Sequence, residues 1–411
     1  MGKEKVISTD GDHFKFLRRI EKNAFKADED DLELLQKYEE EAKEAVIDFQ
    51  DRYNELTTKM LNRFKKNHET KNIVLSPASI IMLLAMLADA VYGDSRDEVL
   101  NVLGEYISYE DSLIIVEGLI NAFSRSESVK ISNAVCVNEG IKEAIVSEYS
   151  KSLQESFNGE LFCSSDMVND VNNWVKDATN GLIDKIADDS MRNALVCLMN
   201  AIAFESDWAE TYDEEQILED DFTNLDGTVS KVNYLMSDEN LYVEDSNFTG
   251  FLKPYKDSNY VFMGLLPKKN SYLKKNISDI DFTALYCDAD AVDVSATMPE
   301  FKFELEESLV DFCKNLGIKR AFTPNADFSP LASKPLMVTD IKHKATIQVD
   351  RKGTVAAAAT WAEIEVGCAP MKWPEIKEVC LDRPFVYAIM NKETELPVFA
   401  GIYNYGSKIN S

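Results

Sequence analysis

Three histidines, seven cysteines and 72 carboxylates are the groups in this 411-residue chain that could support acid–base, nucleophilic or metal chemistry. Their spacing assembles none of these. His13, His68 and His343 lie far apart, and His13 sits in a highly charged extension. No G-x-S-x-G elbow, H-E-x-x-H pair or Walker loop is present. Cys136, Cys163, Cys197, Cys287, Cys313, Cys368 and Cys380 make no CxxC pair. Most of them read as small buried hydrophobes, not as metal ligands or a disulfide framework. The odd count leaves at least one thiol unpaired in a monomer. No catalytic set, metal or cofactor is expected.

What the sequence offers in their place is a peptide segment with unusual patterning. In residues 353–366, GTVAAAATWAEIEV, every second residue from Thr354 is small or apolar: Thr354, Ala356, Ala358, Thr360, Ala362, Ile364 and Val366. The intervening positions end in Trp361, Glu363 and Glu365. Side chains alternate faces along a strand, so this pattern describes one narrow face fit for burial and one tolerant face. Four successive alanines also suit a helix. Gly353, the β-branched Val349, Thr354, Val355 and Thr360, and the lack of a 3.6-residue stripe weigh toward the strand. The following GCAPMKWPEIK carries Gly367, Pro370 and Pro374 and reads as an exposed loop. A strand-competent segment that runs into a loop suggests a mobile element with two possible homes.

The elements that would position it are also legible. Val46, Phe49, Tyr53, Leu56, Met60 and Phe64 step by three or four residues, the stripe of a helix packed on a domain. Ser76–Pro77 opens a second helix, whose run Ile80, Ile81, Leu83, Leu84, Met86 and Leu87 is apolar enough for a central buried position. Residues 1–44 form a charged N-terminal extension. Leu32, Leu34, Leu35 and Tyr38 could make a short amphipathic helix there, and a solvated extension is the favoured reading. The net charge of −28 argues against nucleic acid, heparin-like polyanions and anionic membranes as partners. No 18-residue apolar stretch is present.

The run IKHKATIQVDRKGTVAAAAT at 341–360 resembles the strand-plus-hinge signature of the serpins, the serine protease inhibitors. Further segments follow in that family's order: NIVLSPASIIMLLAMLADAVYGDSRDEVLNVLG at 72–104, VNNWVKDATNGLI at 171–183, LMNAIAFESDW at 198–208, MPEFKFE at 298–304, ADFS at 326–329, RPFVYAI at 383–389 and PVFAGIY at 397–403. The resemblance runs from about residue 45 to the C-terminus and leans toward bacterial members. It implies an α+β serpin fold over 45–411: a large mixed sheet, two smaller sheets, about nine helices, and a reactive-centre loop at about 351–374.

The resemblance also implies a mechanism. A protease cleaves the loop and is held as its acyl-enzyme while the freed segment inserts as a new strand. Rapid insertion needs small, uncharged inward side chains. The hinge residues Arg351, Gly353, Thr354, Val355, Ala356, Ala357, Ala358, Ala359 and Thr360 carry no charge on that face. The scissile bond falls on Gly367–Cys368 by the family's spacing, with Met371–Lys372 as the alternative in a loop several residues longer than usual. Elastase-like or subtilisin-like targets are expected. Ser76, Ser79, Asn200 and His343 match the family's shutter, a polar cluster beneath the main sheet; Trp208 and Glu300 match its breach, where the sheet first parts. Arg351 and Glu300 reverse the charges usual at their positions, which suggests a swapped salt bridge between them. The implied partner is a serine protease bound covalently by a monomer. The implied location is outside the cell or at its surface, an export signal having been removed, with the cytoplasm as the alternative. A non-inhibitory binding protein and a cysteine-protease inhibitor are the other readings.

Overall fold

The computed structural model describes residues 32–104, 107–192, 194–275, 277, 280–338, 341–354 and 376–408. The chain enters through one long helix, Leu32–Asn67. The expected boundary between residues 44 and 45 falls inside this helix. Phe49, Tyr53, Leu56, Met60 and Phe64 are all buried, so the stripe read from the sequence is the face that packs on the domain. Helices Pro77–Ala90, Asp94–Leu103, Tyr109–Phe123 and Ser147–Phe157 follow, and every residue of Pro77–Ala90 is buried. That helix starts as its sequence requires. The Ser76 side chain accepts the Ser79 N–H at 3.2 Å, and Pro77 occupies a first-turn position where no N–H is needed. Among the described residues, no helix is long and apolar enough to cross a membrane.

The strands form α+β layers around a large apolar core. A six-stranded antiparallel sheet runs in the order Ile73–Leu75, Leu396–Tyr403, Phe385–Asn391, Tyr260–Pro267, Phe248–Pro254, Tyr242–Glu244. A four-stranded sheet has Lys377–Cys380 at one edge, then Val294–Pro299, Val229–Glu239 and Ile217–Thr223. The remaining strands form a divided sheet. One half is Gly159–Ser164, Val129–Asn138 and Val196–Phe204, the first pair parallel and the second antiparallel. The other half is the antiparallel pair Phe301–Ser308 and Lys342–Val349. Helix Met167–Ala178 packs over the first half, with Met167 and Val171 in one cluster with Cys136 and Cys197.

Cys136, Cys197 and Cys313 are buried as expected of small hydrophobes, and burial pushes the Cys136 and Cys313 thiols up to about 12. Cys287 and Cys380 are exposed, a departure from that expectation.

Candidate functional site

The site is built at the seam of the divided sheet. Strand Lys342–Val349 alternates buried and half-buried residues from His343 onward, the period of a strand with one core face. It ends in a tight reversal. The Asp350 N–H donates to Gly353 O at 3.1 Å and the Gly353 N–H donates back to Asp350 O at 3.3 Å, so Arg351 and Lys352 form a two-residue turn. The Asp350 carboxylate braces it, accepting the Lys352 N–H at 2.9 Å and Nε2 of Gln348 at 2.7 Å. Gly353 and Thr354 then pair antiparallel with Asp207 and Ser206. Gly353 has φ of +146°, and a Cβ there would lie 2.4 Å from both Asp207 Cα and Ser206 O. Both are backbone atoms that cannot swing aside, so only glycine fits.

Three successive carbonyls of the turn are held from one side. Trp208 Nε1–H donates to Asp350 O, the Tyr212 N–H to Arg351 O, and the Trp208 N–H to Lys352 O, each at 2.9 Å. Trp208 is 1% exposed and stacks on Tyr255, with ring centroids 4.5 Å apart. The two halves of the sheet are thus joined around residues 350–354. Away from that junction they part. Among the described residues, no backbone hydrogen bond links Val196–Phe204 to Lys342–Val349. A cleft of about 380 Å³ lies along this seam, lined by Ala203, Phe204, Phe303, Ile347 and Gln348, among others. Two strand edges that face each other without a ladder leave donors and acceptors free for a further strand.

Ser76, Ser79 and His343 come together beneath the seam. The Ser76 N–H donates to His343 Nε2 at 3.2 Å, and Ser76 Oγ donates to Val398 O at 2.8 Å. His343 therefore acts as an acceptor, which only the neutral imidazole can do. Burial lowers its pKa to about 3 and keeps it in that form. Asn200 joins a different group. Its Nδ2 donates to Asn133 Oδ1 at 2.7 Å, while Asn133 Nδ2 donates to Phe157 O at 2.7 Å. Among the described residues, the buried Asn200 Oδ1 has no hydrogen-bond partner. Asn133 was missed from the sequence. It falls in phase with Val129, Ile131, Val135 and Val137 on the apolar face of its strand, the signal that could have found it, and it pairs opposite Asn200.

The expected Glu300–Arg351 salt bridge is not formed. Glu300 is 6% exposed and accepts Asn233 Nδ2 at 3.1 Å, whereas Arg351 is exposed on the turn. A buried carboxylate bound to a neutral amide and a solvated guanidinium are separate features, and the charge reversal has no pairing behind it. Hinge residues Val355, Ala356, Ala357, Ala358, Ala359 and Thr360 and the scissile candidates Gly367, Cys368, Met371 and Lys372 lie outside the described residues.

Comparison with known proteins gives a consistent result. Residues 51–405 match the family model described as serpin (serine protease inhibitor). Iripin-2 of the tick Ixodes ricinus is 28% identical, with 81% of this chain and 88% of that protein covered. The thermophilic serpin tengpin in its native state superimposes with a TM-score of 0.78 at 30% identity, over 88% of this chain and 94% of that one. Its latent state gives 0.71 at 28% identity, over 87% and 98%. The relatives span ticks, a plant and archaea, and do not establish the bacterial affinity expected from the sequence. A family match across most of the chain and a native-state likeness over nearly all of a known serpin lead to one assignment: the chain belongs to the serpin family.

Proposed function

We propose that this serpin inhibits serine proteases as a suicide substrate. The carrying observation is the seam: two facing strand edges without a ladder, with the base of the loop pinned at one end. A strand entering there would take up hydrogen bonds on both sides. At ~1 kcal/mol net for each of roughly ten bonds, with apolar burial added, insertion releases on the order of 10 kcal/mol. That equals a typical domain's whole stability, so the uninserted form is held by a barrier and not by its depth. Loop insertion with release of stored strain is the general behaviour known for serpins; the particular support here is the sequence on the inserting face. Thr354, Ala356 and Ala358 are small and uncharged, as a narrow seam demands.

The reading continues outward from the hinge. Cleavage at Gly367–Cys368 suits elastase-like or subtilisin-like enzymes, and cleavage at Met371–Lys372 suits elastase-like or chymotrypsin-like ones. The protein acts as a monomer, outside the cell or at its surface. The test is incubation with pancreatic elastase, neutrophil elastase, subtilisin, chymotrypsin and trypsin, followed by denaturing gels and intact mass. An SDS-stable complex with a released C-terminal peptide supports the proposal, and the peptide mass fixes the bond. Clean cleavage by every enzyme with no complex overturns it for this set of targets.

A further inference from the structure

The most deeply buried ion pair among the described residues lies beside the loop base. Lys253 Nζ sits 2.8 Å from Glu239 Oε1, with side chains 3% and 6% exposed. Lys253 belongs to strand Phe248–Pro254 of the six-stranded sheet and Glu239 to strand Val229–Glu239 of the four-stranded sheet. The same ammonium lies 5.4 Å from the ring centroid of Trp208 and 4.5 Å from that of Tyr212. These two residues follow the divided sheet and hold the carbonyls of Asp350, Arg351 and Lys352. One buried charge therefore connects all three sheets to the turn from which the loop departs.

The carboxylate completes the link. Ser237 Oγ donates to Glu239 Oε1 at 2.6 Å and lies 3.2 Å from the Tyr212 hydroxyl. With the serine proton committed to the carboxylate, the Tyr212 hydroxyl donates to Ser237. The ion pair thus holds Tyr212 twice, at its ring face by the cation and at its hydroxyl through Ser237. The backbone N–H of that same residue holds Arg351 O. Buried charge pairs are poor sources of net stability, because desolvation offsets their attraction. Their better use is to fix geometry, and a desolvated cation over an aromatic face is a directional contact.

We infer that Lys253 and Glu239 are positioning residues for the loop base: they hold Trp208 and Tyr212 against residues 350–352 and so set how readily the first hinge residues are released to insert. This role rests on the inhibitory reading above. The structural half of the inference is tested without any protease.

The variant is Lys253→Met with Glu239→Leu, which removes both charges together and strands neither. Hydrogen exchange of the intact, uncleaved protein is followed at the amides of Trp208 and Tyr212, with the amides of Tyr260–Pro267 as an internal control. The expected result is exchange about tenfold faster at both amides with the control strand unchanged. Tyr212→Phe keeps the ion pair and removes only the hydroxyl link, and its expected acceleration is about threefold. Should the double variant not fold, Tyr212→Phe decides. Lys253→Arg keeps a cation in place and is expected to leave both amides near their original rates. Unchanged exchange at Trp208 and Tyr212 in the folded double variant, or in Tyr212→Phe where the double variant does not fold, overturns the inference. Failure of the unaltered protein to trap any protease would strike the inhibitory reading and leave the exchange result standing.

Discussion

The inner strands of the six-stranded sheet and strand Val196–Phe204 of the divided sheet use similar apolar residues to opposite ends. Strands Tyr260–Pro267, Phe385–Asn391 and Leu396–Tyr403 are buried at every position and laddered on both sides. Val196–Phe204 is buried at all but its first residue, yet among the described residues its ladder runs on one side only. Apolar burial is therefore as complete in Val196–Phe204 as in the inner strands of the first sheet, and what differs between them is hydrogen-bond completion. The first sheet is a finished scaffold. The second is finished around residues 350–354, where Gly353 passes so close to Asp207 that no side chain could intervene. A buried strand edge that is incompletely paired is one that a further strand can improve.

The sharpest way to break this contrast is to make the incoming strand unfit for the seam. Ala356→Arg places an unpaired charge on the inserting face, and burying it costs several kcal/mol, so trapped complex should fall at least about tenfold while loop cleavage continues. Densitometry of complex against cleaved product reads the ratio. The next effect is on the junction. Gly353→Val forces a Cβ into the backbone of Ser206 and Asp207, and stability should drop by about 2–4 kcal/mol in urea denaturation.

Below the seam the effect depends on pH. The pKa of His343 is lowered from 6.5 to about 3 in the folded state, so between these values the unfolded chain binds a proton that the folded chain does not. Its contribution is fully present above pH 6.5 and declines as pH falls, by about 2 kcal/mol between pH 6.5 and 5. Denaturant titrations at several pH values should show that slope, and a His343→Gln variant should flatten it. The smallest effect belongs to the turn. Because Arg351 is exposed and Glu300 pairs with Asn233, Arg351→Glu should shift the melting temperature by no more than about one degree. A large shift there would restore the discarded salt bridge.

Much of the scaffold was legible because it is written in side-chain periodicity. The stripe Phe49 to Phe64 and the apolar run that follows the Ser76–Pro77 corner each announce a buried face. Gly353 was legible as a hinge residue, although the close approach to Asp207 that requires it was not. The gap in the divided sheet left no mark in the sequence, since backbone pairing is not a side-chain property. The Lys253–Glu239 pair was hidden for a related reason. A lysine and a glutamate look like surface residues until two strands from different sheets bring them together. The assumed link between Glu300 and Arg351 failed in the reverse way: two complementary charges were read as partners, and each proved to have its own surroundings.

The central claim is that the seam between Val196–Phe204 and Lys342–Val349 receives a strand once the loop is cut. The most direct measurement is hydrogen exchange across both strands before and after limited cleavage of the loop. The account predicts that amides on both facing edges become strongly protected after cleavage, with a large rise in melting temperature. Unchanged exchange in the two strands, and an unchanged or lower melting temperature, would contradict it.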